Sequence, residues 1–224
     1  MLTPPAAPQT TARSSSLAGL SLLVLAMSLP GAATAASGWF DSKADSGSFG
    51  DWSVFCDDSL ACEAYAEELE GTGGSLFTLA RRADDEGWRV SISLSGTRPD
   101  LTYGIQIGVV DEPEHLPAGE VDLQRGEVIP GTATSYHILP TGAGAERVVE
   151  RLRSNPARGV KFPYMHVDFP DCGGAVENTL SFPLAGVTEA LAWIDQKQNR
   201  PAGDSRVGIV PNDLGATIPA DCSD

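Results

Sequence analysis

The chain has 224 residues, of which 30 are acidic and 15 are Lys or Arg, so its formal net charge is −15 at pH 7. A surface with this excess of carboxylates repels phosphate and anionic lipid, which argues against nucleic acid and bare membrane as partners. A basic protein or a cation would be attracted, although the simpler interpretation is that the charge serves solubility or a saline habitat.

The first 35 residues have the composition of a secretory signal peptide. One basic residue, Arg13, precedes the apolar run 17–29, and the small residues at 33–35 suit a signal peptidase. The apolar run is shorter than the ~20 residues of a spanning helix. We therefore predict cleavage before Ala36, a periplasmic or secreted protein, and no membrane insertion after cleavage. The remaining 189 residues would carry 14 basic and 30 acidic side chains, a net charge of −16.

Residues 36–48 are small and polar and predict a flexible leader, followed by a single domain at 49–224. Trp52, Val54 and Cys56 fall on alternate positions, and a second alternating run follows Cys62. Five residues separate the two cysteines. The pattern predicts a β-hairpin closed by a disulfide.

The four cysteines are Cys56, Cys62, Cys172 and Cys222. An exported chain meets an oxidising compartment, and an even number of cysteines suggests two disulfides. Three pairings are possible, of which proximity favours Cys56 with Cys62 and thereby leaves Cys172 with Cys222. Four cysteines can also bind zinc, but the paired Cys-x2-Cys spacing of structural zinc sites is absent.

Alternating apolar positions predict a succession of antiparallel strands beyond the hairpin. Turn residues at 71–74 and 84–87 separate the first of them. The predicted strands are 76–81, 88–94, 103–109 beginning at Tyr103, and 121–123. Their apolar faces must be buried against one another, which predicts a sandwich or a barrel-like sheet.

Two helices are predicted in the C-terminal half. The first covers 145–154 and ends at Asn155-Pro156, and the second covers 184–200 and ends at Pro201. A strand over 160–169 lies between them, and 206–210 could form a final edge strand. The sequence thus predicts an α+β fold that is mainly β.

Three segments resemble a known family. They are the run 49–64 with its Trp-x-Val-x-Cys start, the Leu79-Ala80-Arg81 strand end, and the helix at 184–200. They look like the bacterial exported proteins catalogued as domain of unknown function 1176. A more distant similarity is to the invasion-associated locus B proteins. The resemblance implies an exported protein, supplies no catalytic motif, and leaves Cys172 and Cys222 as extra cysteines.

The candidate binding residues are Asp195, Gln198 and Arg200 at the end of the second helix, with Arg81 and Trp52 from the predicted strands. A structural role is favoured for most of them. Arg200 at a helix C-terminus interacts well with the helix dipole and the last carbonyls. Trp52, on an alternating strand beside a cystine, suits core packing.

His166 and Asp168 lie two residues apart on a predicted strand and are the candidate metal ligands or general base pair. Further ligands would have to come from His115 or His137 through folding. The chain has no Gly-x-Ser-x-Gly motif, and cysteine nucleophiles are excluded if both disulfides form.

The sequence therefore predicts an exported, non-catalytic binding or accessory protein without a cofactor, which contacts a basic protein partner through its acidic surface. The alternative is a metal-binding module or a metal-dependent hydrolase.

Overall fold

The computed structural model describes residues 45–69, 74–85, 87–110, 112–126, 133–173, 177–208 and 215–223, all of which belong to the compact unit Gly38–Asp224. The predicted signal peptide, most of the predicted leader and the turn residues 71–73 lie outside these ranges. None of the described helices is long and apolar enough to cross a membrane.

Twelve strands and two α-helices are present in the described ranges. The strands are β1 (Asp45–Phe49), β2 (Trp52–Cys56), β3 (Cys62–Glu67), β4 (Leu76–Arg81), β5 (Arg89–Ser95), β6 (Ile105–Val109), β7 (Glu112–Leu116), β8 (Val121–Arg125), β9 (Ser135–Pro140), β10 (Tyr164–Pro170), β11 (Glu177–Pro183) and β12 (Ala216–Thr217). The helices are α1 (Gly142–Arg153) and α2 (Val187–Lys197), and a short 3-10 helix covers Ala118–Glu120.

The strands form two antiparallel sheets. The larger sheet has the order β1-β2-β3-β4-β5-β9-β8-β12, and the smaller has the order β11-β10-β6-β7. Neither order closes on itself within the described residues, so the architecture is two open sheets rather than a barrel. The predicted class, mainly antiparallel β with two helices late in the chain, is confirmed.

The predicted hairpin is confirmed. β2 and β3 are antiparallel with Cys56 opposite Cys62, and a disulfide joins the two cysteines. The Asp57 carboxylate accepts hydrogen bonds from the backbone N–H groups of Ser59 and Ala61, both at 2.9 Å. These bonds satisfy donors that the tight loop would otherwise leave without partners.

The end of the predicted leader is a strand instead. Residues 45–48 belong to β1, which pairs with β2 along its whole length. The prediction missed it because Ser46 and Ser48 are exposed and polar, so the segment carries no alternating apolar signal. The turn after β1 packs on the start of α2, where a Cβ on Gly186 (φ +93) would lie 1.8 Å from the Phe49 carbonyl oxygen. Only glycine allows this approach.

One hydrophobic core lies between the sheets and the helices. Aligned side chains on the inner face of the larger sheet are fully or nearly fully buried, among them Val54, Ala64, Leu79 and Val90. Both helices contribute their predicted apolar faces to the same core. The helix predictions are confirmed, with α1 beginning at Gly142 and α2 lying inside the predicted range.

Tyr103 does not begin a strand. Its side chain is 79% exposed in a turn, and β6 starts at Ile105. The turn is made by Gly104 (φ +82), where a Cβ would lie 1.9 Å from the Leu116 carbonyl oxygen. The alternating apolar pattern therefore begins at Tyr103, two residues before the strand β6 itself begins.

In the C-terminal segment the predicted disulfide is present, but the predicted edge strand at 206–210 is not seen in its described part, 206–208. Cys172 and Cys222 form the second disulfide, as predicted. Val207 makes an isolated parallel bridge with Trp88 instead of an edge strand, and residues 209–210 lie outside the described ranges. The last strand is β12, which pairs with β8.

Candidate functional site

Four polar residues from three segments that are distant in sequence meet in the core. Arg81 ends β4, Asp195 lies in the last turn of α2, Gln198 follows that helix, and Arg153 ends α1. We call these residues, together with Trp88, the Arg81 cluster. Arg81 is 1% exposed and Asp195 is 2% exposed, so the cluster is an internal ionic network.

Asp195 is the only carboxylate in the Arg81 cluster. Its Oδ1 lies 2.5 Å from Arg81 Nη2, and its Oδ2 lies 2.7 Å from Arg153 Nη1. Arg81 Nε also donates to Gln198 Oε1 at 2.8 Å. Burial lowers the pKa of Arg81, while the hydrogen bond and charge of Asp195 act in the opposite direction. Two guanidinium groups thus share one buried negative charge.

The indole of Trp88 lies against both guanidinium groups. Arg81 Cζ is 4.2 Å from the ring centroid and Arg153 Cζ is 5.1 Å from it. Cations favour the electron-rich faces of aromatic rings, so the contact with Trp88 stabilises the two buried guanidinium groups. Among the described residues, Arg81 Nη1 and Arg153 Nε have no hydrogen-bond partner, which increases the importance of this contact.

A partly open cleft of about 420 Å³ lies beside the Arg81 cluster. Its lining includes both acidic and basic side chains together with Trp88: Asp85, Gly87, Trp88, Arg89, Glu146, Arg206, Val207 and Gly208. Since neither sign of charge dominates the lining, the cleft does not select for an anion or a cation by charge alone.

Hydrogen bonds from Arg200 and from Trp88 of the Arg81 cluster fix the backbone around the cleft. Arg200 donates to the carbonyl oxygens of Ala83 and Asp85, and Trp88 Nε1 donates to the carbonyl oxygen of Asp204 at 2.7 Å. Hydrogen bonds from Arg206 lower the pKa of Asp204 to about 2. Asp204 therefore stays ionised at neutral pH.

The structure brings together four of the five predicted binding residues. Arg81 contacts both Asp195 and Gln198, and Arg200 lies beside them, where its backbone N–H donates to the Asp195 carbonyl oxygen at 2.9 Å. Trp52 is elsewhere in the core, fully buried, and donates to the Pro183 carbonyl oxygen at 2.9 Å. A ligand in solvent could reach neither Trp52 nor Arg81 without a rearrangement of the core.

Arg153, Trp88 and the cleft residues were not predicted as site residues. The sequence pattern predicts Trp88 only as the start of a strand and Arg153 only as part of the first helix. The sequence feature that could have indicated Arg153 is its position beside the buried Leu152, at the boundary between the apolar and polar faces of α1. That signal is common to many surface helices.

The histidines do not form one site. His166 Nε2 lies 3.5 Å from Asp168 Oδ2, and a Cβ on Gly108 would lie 2.0 Å from His166 Cε1, so the imidazole covers this glycine. His115 is on β7, two strands away, and His137 is in the larger sheet. Burial lowers the pKa of His137, which is hydrogen bonded to Ser93 at 3.0 Å. Within the described ranges, no three His, Cys, Asp or Glu side chains converge to hold a metal.

Glu63 is a further titratable group of the larger sheet. It is aligned with Ala80 and Arg89 across β3, β4 and β5. Burial raises the pKa of Glu63 to about 7, and the charge of Arg89 opposes this shift. Folding therefore retains a proton that the unfolded chain releases near pH 4.5.

Glu63→Gln is expected to change the pH dependence of stability. In the parent protein the free energy of unfolding should fall as pH rises from about 4.5 to about 7, by up to about 3 kcal/mol, since the folded state binds more protons there. The variant should lose this dependence and be the more stable protein above pH 7. Urea unfolding across pH 4–8 measures the effect, with the exposed Glu67→Gln as the control. Identical profiles for the parent and Glu63→Gln would contradict it.

Comparison with known proteins gives one distant structural similarity. The chain is similar to the crystal structure of invasion associated protein B from Bartonella henselae, with 15% identity and a TM-score of 0.44 over 70% of this chain and 99% of that one. No family model matches the chain, and the curated proteins searched give no match. A similarity of this extent does not assign an activity.

Proposed function

We propose that this chain is an exported, non-catalytic binding or accessory protein whose acidic surface contacts a basic protein partner. The observation that carries the proposal is how its charges are distributed. Most of the described cations are engaged inside the protein or in pairs on its surface, whereas many carboxylates face the solvent.

The pairing of the cations is shown by their distances. Arg147 lies 2.5 Å from Glu114, Lys197 lies 2.6 Å from Asp45, and Arg206 lies 2.9 Å from Asp204. The exposed carboxylates that form no ion pair among the described residues include Asp51, Asp58, Glu67, Asp84, Asp122, Glu150 and Glu189. A basic partner would meet these groups without first breaking an internal pair.

The geometry does not favour either alternative, the metal-binding module or the hydrolase. His166 and Asp168 are a pair without a third ligand in the described part of the chain. The ionic network of Arg81 and Asp195 is buried, and a catalytic group must contact its substrate. The Arg81 cluster is better explained as the support of the cleft walls.

Export and family membership belong to the same proposal. Both disulfides are formed and the described residues include no free cysteine, which supports an oxidising compartment. The resemblance of 49–64 and 184–200 to domain of unknown function 1176 supports an exported bacterial protein of that family.

Salt-dependent capture tests the proposal. The immobilised protein should retain a basic partner from an exported-protein extract in ~0.05 M NaCl and lose it in ~0.5 M NaCl, because salt screens exposed charges. The variant Asp51→Asn/Asp58→Asn/Asp84→Asn should retain less of that partner at low salt. The control variant Ser46→Ala/Ser48→Ala/Gln196→Ala changes three exposed neutral residues and should behave as the parent. Capture that is indifferent to salt and to the three neutralised carboxylates would refute the proposal.

A further inference from the structure

The connection between α1 and β10 has a surface unlike that of the rest of the chain. We call residues 158–164 the aromatic-basic loop. Three of its large apolar side chains are exposed: Val160 by 36%, Phe162 by 72% and Tyr164 by 47%. Side chains of this kind are normally buried, and a cluster of them within five residues marks an interaction site.

The aromatic-basic loop is anchored by hydrogen bonds at both ends, and residues 158–162 between them are exposed. Arg158 N–H donates to the Asn155 carbonyl oxygen at 3.0 Å, and Leu184 N–H donates to the Pro163 carbonyl oxygen at 3.1 Å. A Cβ on Gly159 would meet no atom within 4 Å. The exposed side chains are therefore carried on a segment that is anchored at both ends and exposed to solvent between them.

The charge of the loop is opposite to that of the protein. Residues 154–163 contain Arg158 and Lys161 and no acidic residue, whereas the whole chain has a net charge of −15. Neither cation forms an ion pair among the described residues. Lys161 Nζ lies 5.2 Å from the ring centroid of Phe162, so a cation and an aromatic ring are presented together. The complementary surface is apolar and anionic.

We infer that the aromatic-basic loop docks the protein peripherally on an anionic phospholipid surface. Aromatic side chains partition into the bilayer interface one by one and need no groove of matching shape. Lys and Arg beside them are attracted to anionic headgroups. A stable protein interface needs about 800 Å² from each partner, which is more than three side chains supply. The inference does not depend on the proposed contacts of the acidic surface.

The net charge of the protein limits the strength of this docking but does not prevent it. Exposed charges more than about 8 Å from the lipid are largely screened at physiological ionic strength. Arg158 and Lys161 would be in contact with the headgroups, where screening is weak. We therefore expect reversible binding that is specific for anionic lipid and weakens as salt is raised.

Vesicle co-sedimentation tests the inference. The protein is purified after export, and its mass is measured to show that the apolar run 17–29 of the predicted signal peptide has been removed and cannot cause the binding. The protein should sediment with vesicles of phosphatidylethanolamine containing about 30% phosphatidylglycerol, and much less with pure phosphatidylcholine vesicles. Phe162→Ser/Tyr164→Ser should lower the partition coefficient at least about tenfold. Arg158→Glu/Lys161→Glu should lower it about thirtyfold or more.

Two matched controls separate the loop from general surface effects. Tyr103→Ser removes an aromatic side chain that is 79% exposed elsewhere, and Arg125→Glu reverses an exposed charge on β8. Both should bind as the parent does, and thermal unfolding should show that all variants are folded. The inference is overturned by absence of binding to anionic vesicles, by equal binding to phosphatidylcholine, or by unchanged binding of the Phe162/Tyr164 variant. Sedimentation without vesicles would also overturn it, since that result would indicate a second copy of the chain as the partner.

Discussion

Asp195→Asn is expected to lower the free energy of unfolding by about 3–5 kcal/mol. The substitution keeps the shape of the side chain but removes the one carboxylate between Arg81 and Arg153. Two guanidinium groups would then remain in the core, one of them almost fully buried, without a counterion. Removing one partner of a buried ion pair is destabilising because the remaining charge is desolvated and no opposite charge compensates for the lost hydration.

Two further variants show whether the loss comes from the uncompensated charge. Asp45→Asn removes an ion pair with Lys197 at the surface, where the Asp45 side chain is 70% exposed, and should change stability by less than about 1 kcal/mol. Arg81→Met/Arg153→Met/Asp195→Leu removes all three charges and should be closer to the parent than Asp195→Asn, since apolar side chains can replace a complete ionic network. Guanidinium chloride unfolding measures all three. An Asp195→Asn protein as stable as Asp45→Asn would contradict the assignment.

Removal of the Cys172–Cys222 disulfide is expected to cost about 4 kcal/mol, against about 2 kcal/mol for Cys56–Cys62. The sequence separation is 50 residues for the first and 6 for the second, so the first crosslink restricts the unfolded chain far more. The paired alanine variants Cys172→Ala/Cys222→Ala and Cys56→Ala/Cys62→Ala leave no unpaired thiol at either site.

The C-terminal segment would keep some contacts without its disulfide. Leu101 N–H donates to the Ala220 carbonyl oxygen at 2.7 Å, and Arg98 Nη2 donates to the Asp221 carbonyl oxygen at 2.8 Å. We therefore expect a folded but less stable protein, measured as a lower denaturant midpoint. A smaller loss from the long crosslink than from the short one would show that the docked tail, and not the crosslink, restrains this end of the chain.

The parts of the fold that the sequence predicts are those with a one-sided burial pattern. In β5 the buried Val90, Ile92 and Leu94 alternate with more polar residues, and this pattern predicts a strand without further information. β7 carries no such pattern, because it contains Pro113 and the acidic residues on either side of it. It is a strand because it lies at the edge of the smaller sheet, beside α1. The pairing of β7 with β6 and its contact with α1 are features of the tertiary structure that the local sequence does not show.

The same distinction holds for the Arg81 cluster. The end of the predicted second helix indicates Asp195 and Gln198 as candidates, and a predicted strand end indicates Arg81. The structure shows that Arg81 contacts both of them across more than a hundred residues of sequence. Arg153 and Trp88, the residue before β5, also belong to the cluster. Their positions depend on the packing of α1 against α2 and of β5 against β4, which no local sequence pattern encodes. A network of charges in a core can be recognised only when the core is known.

The outer strands of the larger sheet affect how the protein behaves at high concentration. β12, on one edge, has only two residues, and β1, on the other, exposes Asp45, Ser46 and Ser48. Edges that are short or that carry charge and hydroxyl groups oppose strand pairing between molecules. A wide sheet built in this way can remain dispersed where one with long apolar edges would form fibrils.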